Sequence, residues 1–359
     1  HPSYLDPPLM ALALWPRKLH FLTTSSFFRY PLTRWVLQNV QAIPKIQFRT
    51  DIQATKQMFS AIRAGGAVAI LPEGQRSLDG SCSTIDNSIA KMVKKTGCPV
   101  AAVRTRGAYL VWPRWSQSGI RLGRIEATAQ LLLDSDEVAI LSIAEIQTII
   151  EKALTFNDYG WQHRRRKSYL SFAPAAGVHN LCHQCPACGQ ILAMTSTRHR
   201  LTCRFCGNEA TMDRFGFFST DLRNLSRDHR PKIKPDPYRW HQWQLQEISK
   251  KMNETEFILE FPAEAELLGP DGNFTSIGRC LIKMTATGIS FTGDPYPEEN
   301  RPALQISLPY DRKAGISFDF GQQFEIALGD LTYRFRPDNG QAVILVVDAI
   351  LASADSRVT

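Results

Sequence analysis

Two cysteine pairs, CPACG (185–189) and CRFCG (203–207), constrain this chain more tightly than any other stretch. Each pair has two residues between its thiols and a glycine directly after the second cysteine. Glycine lets the backbone turn so that amides approach the sulfurs. Four thiolates at this spacing make a closed tetrahedral site, which suits structural zinc rather than a catalytic metal with an open position. Cys185, Cys188, Cys203 and Cys206 are the expected ligands, in a ribbon over residues 178–214. Cys182 forms another CxxC with Cys185, but Pro186 and Gly189 favour the knuckle at 185 and 188, so Cys182 and His183 read as bystanders. Cys82, Cys98 and Cys280 stand alone, and eight cysteines in 359 residues are no disulfide framework, which points to a reducing compartment.

Helical and strand patterns alternate from residue 1 to about 155. Asp6 reads as a helix cap followed by prolines in the first turn, where a missing N–H costs nothing. DIQATKQMFSAIRAGG (51–66) predicts a helix that turns Ile52, Met58, Phe59 and Ile62 to one side and ends at Gly65 and Gly66. AVAILP (67–72) and PVAAV (99–103) are short apolar runs of the kind buried in parallel sheets. Between them Asp86 is placed to cap NSIAKMVKKTG, which Gly97 closes. The expected fold is α/β with a mostly parallel sheet over residues 1–160. A Pro- and charge-rich segment at 227–240 reads as a linker, with Tyr238, Trp240 and Trp243 docking domains together. Beyond it the pattern has period two, as in LTYRFR (331–336), and ends in the helical QAVILVVDAILAS. That predicts a small β-rich, PH-like module over 240–355.

Length allows two or more domains, and 43% hydrophobic with 21% charged residues is ordinary for a globular chain. The longest apolar run, AVILVVDAILA from Ala342, is too short to span a bilayer and carries Asp348. Residues 1–120 hold fifteen Lys and Arg against five Asp and Glu. That excess suits an anionic partner: phosphate, lipid surface, acidic carrier protein or nucleic acid. Residue 1 is not Met, so it is expected not to be the natural start.

Two clusters carry chemistry. In HPSYLD (1–6), an Asp6 carboxylate that accepts the His1 Nδ1 proton would leave Nε2 free to take a proton from a hydroxyl. The competing reading is a helix cap beside an incidental histidine. In LPEGQRS (71–77), Glu73, Gly74 and Arg76 follow an apolar strand, at the end of a sheet where ligands of α/β proteins bind. Arginine offers a fork suited to phosphate. The competing reading is a polar turn closed by an ion pair.

HPSYLD, LPEGQRS and CPVAAV (98–103), in this order and at this separation, resemble the glycerolipid acyltransferases of the 1-acylglycerol-3-phosphate type. Those carry an H-x4-D block, an F-P-E-G-T-R block and a V-P-I-V-P-V-like strand. The resemblance covers roughly residues 1–155. It implies that His1 is the general base, that Asp6 orients it, and that Glu73, Gly74 and Arg76 help hold an acceptor phosphate. It implies an arginine before a helix, for which Arg49 is the better match and Lys45 the rival. The implied donor is acyl-CoA or acyl carrier protein, and the implied acceptor a lysophospholipid, chiefly lysophosphatidate. The implied setting is phospholipid biosynthesis at the cytoplasmic side of a membrane, peripherally or through a segment preceding residue 1. Gln75 and Leu71 stand where the family has Thr and Phe.

WPRKLHFLTTSSFFRYPLTRWVL (15–37) mixes aromatics with cations, as an interfacial surface does. The same residues also suit a core. Two further function classes stay open: a nucleic-acid-binding zinc protein, using His199, Arg198, Arg200, Arg204 and Phe205, and a catalytically silent lipid-binding protein on the same fold.

Overall fold

The computed structural model describes residues 1–45, 51–220, 231–254, 256–293, 303–310 and 316–355. The chain divides into two units, His1–Arg114 with Ile120–Tyr169, and Trp115–Gly119 with Leu170–Thr359.

The first unit is mixed α/β. It runs α1 (Asp6–Ala13), β1 (Leu19–Thr24), α2 (Pro31–Asn39), β2 (Ile43–Lys45), α3 (Ile52–Arg63), β3 (Ala67–Ala69), α4 (Ser88–Thr96), β4 (Val100–Arg106), α5 (Ala108–Val111), β5 (Glu126–Leu133), α6 (Ser135–Ile140), α7 (Ile143–Leu154) and α8 (Asp158–Arg165). Strands β2, β1 and β3 form a parallel sheet in that order, with Leu19 opposite Ala67 and Leu22 opposite Ile43. Asp51 caps α3 by accepting from Ala54 N, and α3 buries Ala54 and Met58 against Ile43. Ile52, expected on the same side, is exposed instead, because it sits in the first turn.

Two local expectations change. Leu5, not Asp6, takes the N-cap position of α1, so the Asp6 carboxylate is free for a tertiary role. Asn87 precedes α4, and Asp86 instead accepts from Ser88 N at 2.8 Å in a local turn. Gly97 ends α4 at φ 64°, as expected.

The PVAAV run also differs from the parallel strand its composition suggests. β4 pairs antiparallel with β5, Thr105 opposite Ala127 and Ala101 opposite Leu131. Strand β5 (EATAQLLL) is exposed along most of its length, so no period-two pattern marks it in the sequence. Helices α4, α6 and α7 cover this pair with a core of Ala90, Val93, Leu133, Val138, Ile146 and Ile150. Capping boxes at Asp134/Glu137 and Ser142/Glu145 start α6 and α7.

In the second unit, β6 (Met194–Ser196), β7 (Arg200–Cys203), β8 (Glu209–Met212) and β9 (Phe218–Ser219) form an antiparallel four-stranded sheet. Helix α9 (Pro237–Met252) follows. The expected linker therefore ends before Asp236, which caps α9 by accepting from Arg239 N, while residues 227–230 lie outside the described residues. Trp240 is fully buried, donates to Gln184 O at 2.9 Å and meets the Phe218 ring edge-on. Strands β10 (Ile258–Leu268), β11 (Phe274–Thr285), β12 (Gly288–Gly293), β13 (Leu304–Pro309), β14 (Ile316–Asp319), β15 (Gln323–Leu328) and β16 (Leu331–Pro337) make a seven-stranded antiparallel sheet, ordered β13-β12-β11-β10-β16-β15-β14. Phe291 stacks on Phe335 at 4.1 Å between centroids, with Phe324 beside them. The closing helix is α10 (Ala342–Asp355).

Helices α9 and α10 meet at a buried polar cluster. Asp348 accepts from His183 Nε2 at 2.9 Å and from His241 Nε2 at 2.8 Å. Burial opposes the charge on Asp348, yet the charges and hydrogen bonds of His241 and His183 hold its carboxyl below the usual carboxylate range. His183 stays outside the four-cysteine cluster, as expected, and instead joins the cysteine-rich segment to α10. Removing one member of such a cluster strands the others in a dry interior. Asp348→Ala should lower the unfolding free energy by about 3–5 kcal/mol, read from urea denaturation of the whole chain.

Candidate active site and metal centre

Strand β3 ends at Ala69, and the chain turns through Glu73, Gly74 and Arg76 into the loop at 77–83. The HPSYLD segment lies against this loop. Ser77 N donates to His1 O at 2.9 Å, and the main-chain nitrogen of His1 donates to Glu73 Oε1. The other Glu73 oxygen accepts from Ser83 N and Ser83 Oγ, each at 2.8 Å. Two blocks separated by some seventy residues are thereby brought together.

His1 Nδ1 lies 2.7 Å from Asp6 Oδ2. Among the described residues no protein group pairs with Nε2, and the side chain is about 10% exposed. Asp6 itself is buried. Its Oδ2 also accepts from Ser3 N at 2.9 Å, and its Oδ1 from Thr105 Oγ1 at 2.9 Å. Burial pushes the Asp6 carboxyl up, while the Ser3 amide, the Thr105 hydroxyl and the nearby Arg76 charge pull it back. With Asp6 as acceptor, Nδ1 carries the imidazole proton and Nε2 keeps its lone pair, able to accept a proton.

Arg76 lays its guanidinium 3.6 Å from the centre of the Tyr4 ring, and Arg114 Nη1 donates to Arg76 O at 3.0 Å. Gly74 has φ 69°, the left-handed conformation that favours glycine, with open space where a β-carbon would go. Glu73 is mostly enclosed by its partners, so it ties the blocks together as well as lying at the sheet's end. Arg49 lies outside the described residues, and its rival Lys45 is exposed at the end of β2.

Two further residues belong to this region and were not read from the sequence. Thr105 lies on β4, within the strand that the resemblance matched only as an apolar run. Asp158, fully buried at the start of α8, accepts from Tyr109 N at 3.1 Å and from Gly107 N. Burial pushes its carboxyl up to about 7 against those bonds, with Asp6 adding a repulsive charge. A threonine in an apolar strand and an aspartate in a polar segment have no distinctive spacing to reveal them.

In the second unit the sulfurs of Cys185, Cys188, Cys203 and Cys206 all lie within 4.8 Å of one another. Cys185 Sγ is 3.6 Å from Cys206 Sγ, and Cys188 Sγ is 3.8 Å from Cys203 Sγ. A tetrahedron of sulfurs about 2.3 Å from a central ion has edges of about 3.8 Å, whereas a disulfide needs about 2.05 Å. Gly189 and Gly207 take φ 75° and 71°, and their amides donate to Cys185 O and Cys203 O. Ala187 N points to Cys185 Sγ at 3.4 Å. The four thiols can hold a metal ion, and no acidic or histidine side chain is needed to complete the set. Of the cations considered for nucleic acid, Arg200 pairs with Glu209 and Arg204 donates to Leu192 O.

Residues 1–106 match the family model described as Acyltransferase. The 1-acyl-sn-glycerol-3-phosphate acyltransferase of Brassica napus chloroplasts is 24% identical over 127 residues, 35% of this chain and 36% of that protein. Its counterpart in Arabidopsis thaliana is 23% identical over 127 residues, 35% of each chain. This chain thus spans about a third of the length of the curated relatives it matches. The crystal structure of the 1-acyl-sn-glycerophosphate acyltransferase of Thermotoga maritima is 19% identical, covering 46% of this chain and 64% of that one, with a TM-score of 0.38. Residues 1–106, which carry the H-x4-D pair and the Pro-Glu-Gly turn joined as described, are thus similar to an acyltransferase domain.

Proposed function

We propose that the first unit transfers a fatty acyl group from a thioester, acyl-CoA or acyl carrier protein, to the free hydroxyl of a lysophospholipid, with lysophosphatidate as the leading acceptor. The carrying observation is the His1 Nδ1–Asp6 Oδ2 contact of 2.7 Å, which leaves Nε2 free beside the Glu73–Arg76 turn. Nε2 takes the hydroxyl proton as the oxygen attacks the thioester carbon. The C–O bond forms, the C–S bond breaks, and the imidazolium returns its proton to the leaving thiolate. No acyl-enzyme is required. Asp6 steadies the imidazolium and fixes its tautomer. Arg76, anchored over Tyr4, supplies positive charge for the acceptor phosphate, with Arg49 as a further cation in this reading.

The reading extends to a membrane surface. Among the described residues no helix is long and apolar enough to cross a bilayer. Trp15, Leu32 and Trp35 are 81%, 76% and 65% exposed, with Arg17, Lys18 and Arg34 also exposed around them. Leu22, from the same stretch, packs on the α3 core instead, so the segment serves both purposes. Aromatics among cations suit the headgroup layer of an anionic bilayer. In the second unit, the sulfur spacing supports structural zinc in a ribbon, and a seven-stranded antiparallel sheet followed by α10 supports a PH-like module.

Three outcomes are expected. With labelled acyl-CoA or acyl carrier protein and lysophosphatidate, the full-length protein turns over, and His1→Ala lowers kcat by about 10²- to 10⁴-fold; an unchanged kcat removes His1 as base. Trp15→Ser with Trp35→Ser weakens sedimentation with phosphatidylglycerol-containing vesicles, and binding by the double variant equal to wild type removes the surface. Elemental analysis finds about one zinc per chain, and Cys188→Ser abolishes it with a lower melting temperature; a folded chain without metal refutes the zinc reading.

A further inference from the structure

We infer that Thr105 is a positioning residue of the His1–Asp6 pair: its hydroxyl, 2.9 Å from Asp6 Oδ1, locks the carboxylate in the rotation that presents Oδ2 to His1 Nδ1. The kinetic consequence rests on the acyl-transfer reading, while the positioning itself rests on geometry alone.

An aspartate carboxylate turns easily about its last bond, because that torsion is broad and roughly two-fold. A single contact to His1 would leave it free to swing. Here both oxygens are held: Oδ2 by Ser3 N and His1 Nδ1, and Oδ1 by Thr105. The third donor also favours the charged form of Asp6, against burial, which favours the neutral acid. A neutral Asp6 would accept weakly from His1 and would not steady an imidazolium.

Thr105 is itself held with little freedom. It pairs with Ala127 of β5. Two residues on, Gly107 has φ 80°, and a β-carbon there would run into the Tyr169 hydroxyl and Arg124 O. The amides of Gly107 and Tyr109 are gripped by Asp158, whose own N–H donates to Gly80 O at 2.8 Å. Asp158 therefore fastens the end of β4 to the loop that follows the Glu73–Arg76 turn. The charged and titratable groups acting on Asp6 are the His1 main-chain nitrogen and imidazole, Arg76 and Asp158.

The test compares Thr105→Val, which keeps the shape without the donor, with Thr105→Ser, which keeps the hydroxyl, in the full-length protein. Thr105→Val is expected to lower kcat about 10- to 100-fold, the effect of one hydrogen bond to a charged group, with KM for both substrates little changed. The acid limb of kcat/KM should move to higher pH, because a carboxylate with one donor fewer holds its proton more tightly, so the ionised form that orients His1 appears at higher pH. Thr105→Ser should restore most of the rate. A ¹³C NMR titration of Asp6 should move to higher pH in Thr105→Val with or without turnover. An unmoved Asp6 titration with wild-type kcat, or Thr105→Ser as impaired as Thr105→Val, overturns the assignment. A moved Asp6 titration in a protein whose wild type transfers no acyl group upholds the positioning and refutes the acyl-transfer reading.

Discussion

The first unit is organised around the Asp6 carboxylate. A buried carboxylate requires donors, and the chain supplies three: His1 and Ser3 from beside it in sequence, and Thr105 from β4, 99 residues away. Meeting that requirement brings α1 to the end of β4. The contact between Ser77 N and His1 O then brings in the loop that follows β3. The His1 imidazole is thus held in place by the same bonds that solve a desolvation problem.

The second unit meets small-core stability differently. The four cysteines gather turns that have little apolar surface of their own, with backbone amides donating toward carbonyls and sulfur around them. Next to them the buried Asp348 cluster joins His183, α9 and α10. The apolar stretch that ends the chain is therefore no simple greasy helix. Its one internal acid is the point to which two histidines are fastened, and Trp240 and Gln244 complete the junction through Gln184 and Leu181.

Much of this was legible beforehand. The cysteine knuckles were, because metal geometry demands a short fixed spacing and a turn residue after each pair. The H-x4-D pair and the Pro-Glu-Gly turn were, because chemistry restricts the residue types and a known family repeats their order. Helices α3, α4 and α10 were, through apolar periodicity and Gly97. Strand β5 was not, since both its sides are largely exposed and it has no alternation to read. The antiparallel pairing of β4 was not, since an apolar run states burial and says nothing of its neighbour's direction.

The sequence by itself determined which residues could do chemistry: a histidine with a carboxylate five positions on, a Glu-Gly turn with an arginine, and four thiols in two pairs. Local spacing sufficed there because each set lies within a turn or a short loop. Tertiary structure alone decided which groups control them. Thr105 is 99 residues from Asp6, and Asp348 lies 165 residues from His183. Such partners are chosen by the requirement that buried charge be satisfied, and that requirement exists only once folding has excluded water.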